Sequence, residues 1–265
     1  MLDLPSALFS LTVLCSSTAT LGMRHDVDPS RYVELGAKLP AVVQIGGLAS
    51  GTLVAPDWIL TVAHGPELIG RMRPGAPLTA SIGGEEYEVA RTVVPEKRGL
   101  EGDRHDIALL QLARPVPDDI APLELWLEDV EPGTKFVLAG WGISATGDQG
   151  VEFSPQVMSA PTRALRAGWN EVERVGEKQE LLHARFDGPE LGLELEASPC
   201  IGDSGGPALV RVEGDAGTEP SWRVAGVLAA IDDGDGDRVL SEYSEEFAMT
   251  RVGAYAEWIE ATIGR

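Results

Sequence analysis

Short apolar or alternating runs recur along the chain, separated by Gly, Pro and Asp. They cover residues 41–45, 58–62, 78–82, 87–94, 107–112, 135–139, 181–186, 208–212 and 223–231. Runs of this length bounded by turn formers predict strands, and many of them in succession predict an all-β barrel or sandwich. Pro115, Pro117, Pro122 and Pro132 cluster between two runs and mark a linker between halves. From Val252 the pattern changes. Val252, Tyr255, Ala256, Ile259 and Ile263 recur at helical spacing and stop near Gly264, which predicts a closing helix over 252–263. The charged stretch 165–180 reads as a short surface helix.

The front of the chain has a different character. Residues 6–19 form an apolar stretch with Leu8, Phe9, Leu11, Val13 and Leu14, too short to span a bilayer. Small residues follow it, as after the apolar region of a secretory signal, although Asp3 precedes it and no Lys or Arg does. Small residues at Ser17 and Ala19, or at Thr20 and Gly22, suit cleavage after Ala19 or after Gly22. Residues 1–22 are thus expected to be a signal peptide, and the product to be secreted or periplasmic. Bulky Leu14 argues against lipid anchoring at Cys15. Cys15 and Cys200 are the two cysteines, so loss of the leader leaves Cys200 without a partner in the chain. No later stretch is apolar enough for a transmembrane helix, so no membrane partner is expected after signal removal.

A formal charge of −21 argues against a phosphate backbone or an anionic membrane as partner. It names no fold; its plain reading is solubility. Three segments narrow the function. Thr61-Val62-Ala63-His64 ends an apolar run, Asp106 directly precedes the run Ile107-Ala108-Leu109-Leu110, and Gly202-Asp203-Ser204-Gly205-Gly206-Pro207 sets a serine among glycines. Glycines let backbone amides approach a ligand closely. A serine hydroxyl attacks only when a base takes its proton, and histidine is the natural base near neutral pH. A carboxylate holds that imidazole in one tautomer and stabilises its cation. His105, His25 and His183 lack such a context.

Together these segments resemble the trypsin-like (chymotrypsin-fold) serine proteases. The order His, Asp, Ser is that of this family and differs from the subtilisin-like and α/β-hydrolase orders, which also disfavours an esterase-type hydrolase. Gly51-Thr52-Leu53-Val54, Ala139-Gly140-Trp141-Gly142, Ala225-Gly226-Val227-Leu228 and Trp258-Ile259 extend the likeness over most of the chain. The resemblance implies two six-stranded antiparallel barrels, about 23–122 and about 123–250, with the active site between them and a C-terminal helix. It implies an endopeptidase acting through an acyl-enzyme: Ser204 attacks, His64 transfers the proton, Asp106 orients His64, and the N–H groups of Gly202 and Ser204 bind the oxyanion. A protein or peptide is then the substrate, with no cofactor and no metal, and the enzyme is a monomer. The alternative is a catalytically silent protease-like binding or regulatory module. Retention of all three triad residues disfavours it.

The departures from the family matter. Gly65 stands where many relatives carry a cysteine, and Cys200 stands at a disulfide position. No Ile-Val-Gly-Gly start occurs. The family's interval from His64 leads back to Met23, whose amine, freed by cleavage after Gly22, is expected to pair with Asp203. By resemblance Ser198 lies at the base of the specificity pocket, where an aspartate would select Lys or Arg, and Ile231 and Phe247 are its walls. A small or medium uncharged residue before the scissile bond is therefore expected. Residues 232–246 carry seven acidic side chains. Asp233, Asp235 and Asp237 alternate as in calcium loops, but Arg238 and the missing closing glutamate favour a plain solvated loop. Near the cleft, its charge would favour positively charged substrate segments.

Overall fold

A computed structural model describes residues 21–98, 105–154, 157, 164–178, 180–214 and 220–264. Residues 1–20 of the expected signal peptide lie outside the described residues. The first elements are strand β1 (Leu21–Met23), helix α1 (Ser30–Gly36), and strands β2 (Val42–Ile45), β3 (Ala49–Ala55) and β4 (Trp58–Thr61). Helix α2 (His64–Met72) follows, then β5 (Thr79–Ile82), β6 (Glu85–Val93) and β7 (Ala108–Leu112). Six of these strands close a barrel in the order β2-β3-β4-β7-β6-β5. Its residues are mostly β-branched or leucine, which pack well on a pleated surface.

The second half contains β8 (Glu124–Leu125), β9 (Lys135–Gly140), β10 (Ser144–Thr146), β11 (Val151–Glu152), β12 (Arg166–Glu171) and β13 (Arg174–Val175). It continues with β14 (Leu181–Arg185), β15 (Ala197–Ser198), β16 (Pro207–Val212), β17 (Ser221–Asp232), β18 (Val239–Leu240) and β19 (Glu246–Arg251). Its main sheet runs β12-β9-β16-β17-β19-β14-β13, with β8 beside β17. Where the resemblance implied a second closed barrel, this sheet is a half-barrel. The side-chain amide of Asn170 spans its curve from β12, donating to the carbonyls of Arg185 and Ala197 at 2.9 Å each. The architecture is otherwise the expected chymotrypsin fold.

Two local expectations change. Residues 166–171 are a strand paired along its length with β9, not a surface helix. Their charged ends hid a middle, Ala167-Gly168, that is buried, and tertiary pairing overrides the local composition. The C-terminal helix starts with a 3-10 turn over Val252–Tyr255 before α3 (Ala256–Ile263). Gly264 ends it in the left-handed conformation at φ 76°, as a helix terminus prefers.

One apolar cluster joins the halves. Val42, Val54, Leu60 and Leu109 of the barrel meet Val137, Leu209, Val224 and Val227 of the second sheet, with Tyr255 and Ile259 of the C-terminal segment. Each such side chain contributes about 1.5–3 kcal/mol by leaving water. The cleft between halves is thus fixed by shared packing, without any disulfide among the described residues, where Cys200 is a free, buried thiol.

Candidate active site

Strand pairing brings His64 and Asp106 together. β4 and β7 are antiparallel, with Thr61 opposite Ala108. The chain leaving β4 and the chain entering β7 are therefore neighbours. His64 opens α2 just after β4, and Asp106 stands two residues before β7. The His64 ring nitrogen Nδ1 hydrogen-bonds Asp106 Oδ2. Asp106 Oδ1 accepts the backbone N–H of Ala63 at 2.9 Å and of His64 at 3.0 Å. The carboxylate thereby caps α2 while it grips the ring. Burial alone would push the Asp106 carboxyl up. The hydrogen bond and charge of His64, its backbone N–H and the Arg98 guanidinium together hold it below the ordinary aspartate range.

Ser204 arrives from the other half on the turn before β16. Its carbonyl accepts the N–H of Ser50 in β3 at 2.9 Å, while Ser50 Oγ donates to the Gly202 carbonyl at 3.1 Å and accepts the N–H of Trp141 at 2.9 Å. Thr61 Oγ1 donates to the Ser50 carbonyl at 2.7 Å. One serine of the first barrel thus clamps the loop that carries Ser204. Gly202 and Gly205 take φ values of 95° and 88°, which only glycine adopts without strain. A Cβ on Gly205 would sit 2.1 Å from Thr61 Oγ1 and 2.2 Å from the Ser50 carbonyl. The sequence motifs passed over Ser50. Its only signal was its place directly before Gly51-Thr52-Leu53-Val54.

His64, Gly202 and Ser204 line one cleft of about 420 Å³. Among the described residues, the Ser204 hydroxyl and the N–H groups of Gly202 and Ser204 have no hydrogen-bond partner. Apolar Ile231, Leu228, Leu240, Leu48, Leu68 and Ile143 also line the cleft. Ile231 is therefore at the wall. Ser198 and Phe247 are not among the lining residues. Ser198 is buried beneath β1, where its neighbour is Gly22, and its hydroxyl donates to the Pro199 carbonyl. Phe247 turns away into the core, edge-on to Phe136 at 6.4 Å. Cys200 does line the cleft, and burial, then the charge of Asp203, pushes its thiol up to about 12, so it is no nucleophile.

Asp203 points the opposite way from Ser204. It is fully buried and accepts N–H groups from Gly142 and Cys200 at 2.8 Å each. A Cβ on Gly142 would lie 2.7 Å from this carboxylate, so glycine is needed for the approach. The backbone N–H of Leu21, not of Met23, also reaches it, because β1 lies between β10 and β15. Burial outweighs these donors and the nearby charge of Arg166, and pushes the carboxyl up to about 7. In the acidic loop, carboxylate oxygens of Asp233, Asp235 and Asp237 gather within 4.8 Å. Each bonds loop N–H groups: Gly236 and Arg238 for Asp233, Asp237 for Asp235, Val239 for Asp237.

A statistical description of the family named Trypsin matches residues 36–259. The chain is similar to kallikrein-15 of Saguinus oedipus, 26% identical over 81% of each chain. It is likewise similar to the snake venom serine protease BthaTL of Bothrops alternatus, 26% identical over 81% of this chain and 85% of that one. Serine protease SP24D of Anopheles gambiae is 27% identical over 81% of this chain and 72% of its own. The match over most of the chain and the fold agree: the protein belongs to the trypsin family and is a serine-type endopeptidase.

Proposed function

We propose that it hydrolyses peptide bonds by acyl transfer at Ser204. His64 takes the Ser204 proton as the hydroxyl adds to the scissile carbonyl, then gives it to the leaving amine. Asp106, already bonded to Nδ1, holds the ring in the tautomer that leaves Nε2 as the base. The uncommitted N–H groups of Gly202 and Ser204 receive the developing oxyanion, ordinarily the largest electrostatic contribution to such a step. The observation that carries this reading is the shared cleft, lined by an imidazole that Asp106 orients and by Gly202 and Ser204, whose amides and hydroxyl have no partner among the described residues.

The residue before the scissile bond is uncharged and of small or medium size. Among the described residues, no Asp, Glu, Lys or Arg side chain lines the cleft, and the bulky Ile231 and Leu240 do. The enzyme is secreted after loss of its leader. The place of Leu21 beside Asp203 supports a mature chain that begins at Leu21, not Met23; its ammonium then replaces the peptide N–H at the carboxylate. Cleavage after Gly22 would strip Leu21 and Gly22 from buried positions in β1. A fluorophosphonate probe on purified protein, with His64→Ala as control, tests the nucleophile. Peptide-library profiling tests the preference, and a profile dominated by Arg or Lys overturns it. N-terminal sequencing of secreted protein tests the start.

A further inference from the structure

Beside the Asp106–His64 pair lies a cation that the triad scheme does not use. Arg98 ends the turn after β6, its N–H donating to the Pro95 carbonyl at 2.9 Å. Its Nη1 stands 3.5 Å from Asp106 Oδ1, on the side of the carboxylate away from the imidazole bond. Its Nη2 stands 3.6 Å from Glu67 Oε2, one turn along α2 from His64. The side chain of Arg98 is 15% exposed and that of Asp106 5%, so water screens this pair weakly, whereas Glu67 is 46% exposed.

We propose that Arg98 is a positioning residue that sets the pH range of this enzyme; the proposal rests on the triad reading above. Asp106 Oδ1 is already occupied by two backbone N–H groups and Oδ2 by the ring. The guanidinium therefore adds charge more than a further short hydrogen bond. That charge does two things. It offsets the cost of burying the Asp106 carboxylate, keeping it ionised and in place. It also opposes a second positive charge at His64, which Asp106 alone would favour. The acid limb of activity is then expected at lower pH than for an Asp–His pair without the arginine. Glu67 tempers the effect from the outer side. Among the described residues, Asp106 from the approach to β7, Glu67 from α2 and Arg98 from the turn after β6 are the charged groups paired in this cluster, and Cys200 from the second half lines the same cleft as His64. Arg98 lies among charged residues in the sequence and belongs to no motif.

The test is the acid limb of kcat/KM on an uncharged peptide substrate. Arg98→Gln should move its midpoint up by about 0.5–1 pH unit, with the plateau at high pH much less affected. Near the wild-type midpoint that is roughly a 2–5-fold loss. Arg98→Lys, which retains a charge, should keep the midpoint close to that of the wild type. Glu67→Gln, at an exposed site that tolerates change, should move the midpoint down by about 0.2–0.5 unit. An unmoved limb in Arg98→Gln, or an upward shift in Glu67→Gln, overturns the proposal. If Arg98→Gln does not fold, Arg98→Lys and Glu67→Gln decide it by the same readout. Wild-type protein that neither hydrolyses peptides nor labels at Ser204 would instead overturn the triad reading, so the two failures are distinct.

Discussion

Removal of residues 1–20 should change the stability of the remaining fold, and the effect should depend on pH. Asp203 is fully buried, and its carboxyl is pushed up from 3.8 to about 7 in the uncut chain. A buried acid with a raised pKa contributes stability below its unfolded pKa and loses it as pH rises through the folded value. The loss therefore develops between pH 4 and about 7. A shift of about 3 units at 1.36 kcal/mol per unit makes it about 4 kcal/mol at pH 8, an upper bound. An ammonium at Leu21 would supply the missing charge and reverse the direction, holding the carboxyl below the ordinary range. A chain beginning at Leu21 should thus unfold at a temperature higher by up to about 10 °C at pH 8, with little difference at pH 4.5. Thermal unfolding of residues 1–265 and 21–265 across that range measures it. Burial also pushes Glu196 and Glu245 up to about 7, but both chains share them and they cancel in the difference. Asp203→Asn in both chains should abolish the divergence. Parallel melting curves for the two wild-type chains would refute the pairing of Leu21 with Asp203.

Other outcomes follow from the site. Ser204→Ala should lower kcat by roughly 10⁵–10⁶-fold while leaving the fold intact, measured on any substrate the profile identifies. Gly205→Ala forces a Cβ against Thr61 and the Ser50 carbonyl at a φ of 88°, and should cost more than about 3 kcal/mol; a denaturant melt indistinguishable from wild type would contradict the clamp by Ser50. Ile231→Gly should open the cleft and raise kcat/KM for a large aromatic residue before the scissile bond by about 10–100-fold relative to alanine. Thr250→Val removes a 3.0 Å hydrogen bond from Thr250 Oγ1 to the Asp106 carbonyl and should cost about 1–2 kcal/mol in thermal stability.

The chain's own order of residues was sufficient for the main reading. His64, Asp106 and Ser204 are each set beside a short apolar run or in a glycine turn. Such local patterns need no partner to be recognised, since strand periodicity and glycine conformation are properties of neighbours in sequence. Nine of the strands, those on the apolar runs, and the closing helix were legible for the same reason. What lay beyond the sequence depends on distant pairing. The strand 166–171 reads as charged until β9 covers it, and Asn170 has a role only because Arg185 and Ala197 bend towards it. Phe247 matches a pocket wall by position, yet packs against Phe136 because the half-barrel offers more apolar contact behind β19. Leu21 reaches Asp203 only once β1 lies between β10 and β15. Ser50 and Arg98 act on residues 154 and 8 positions away through folded contacts, and no spacing announces either. Sequence determined which groups could do chemistry, because reactivity resides in residue type. Tertiary structure decided which groups hold them, because orientation, burial and counter-charge exist only when distant segments meet.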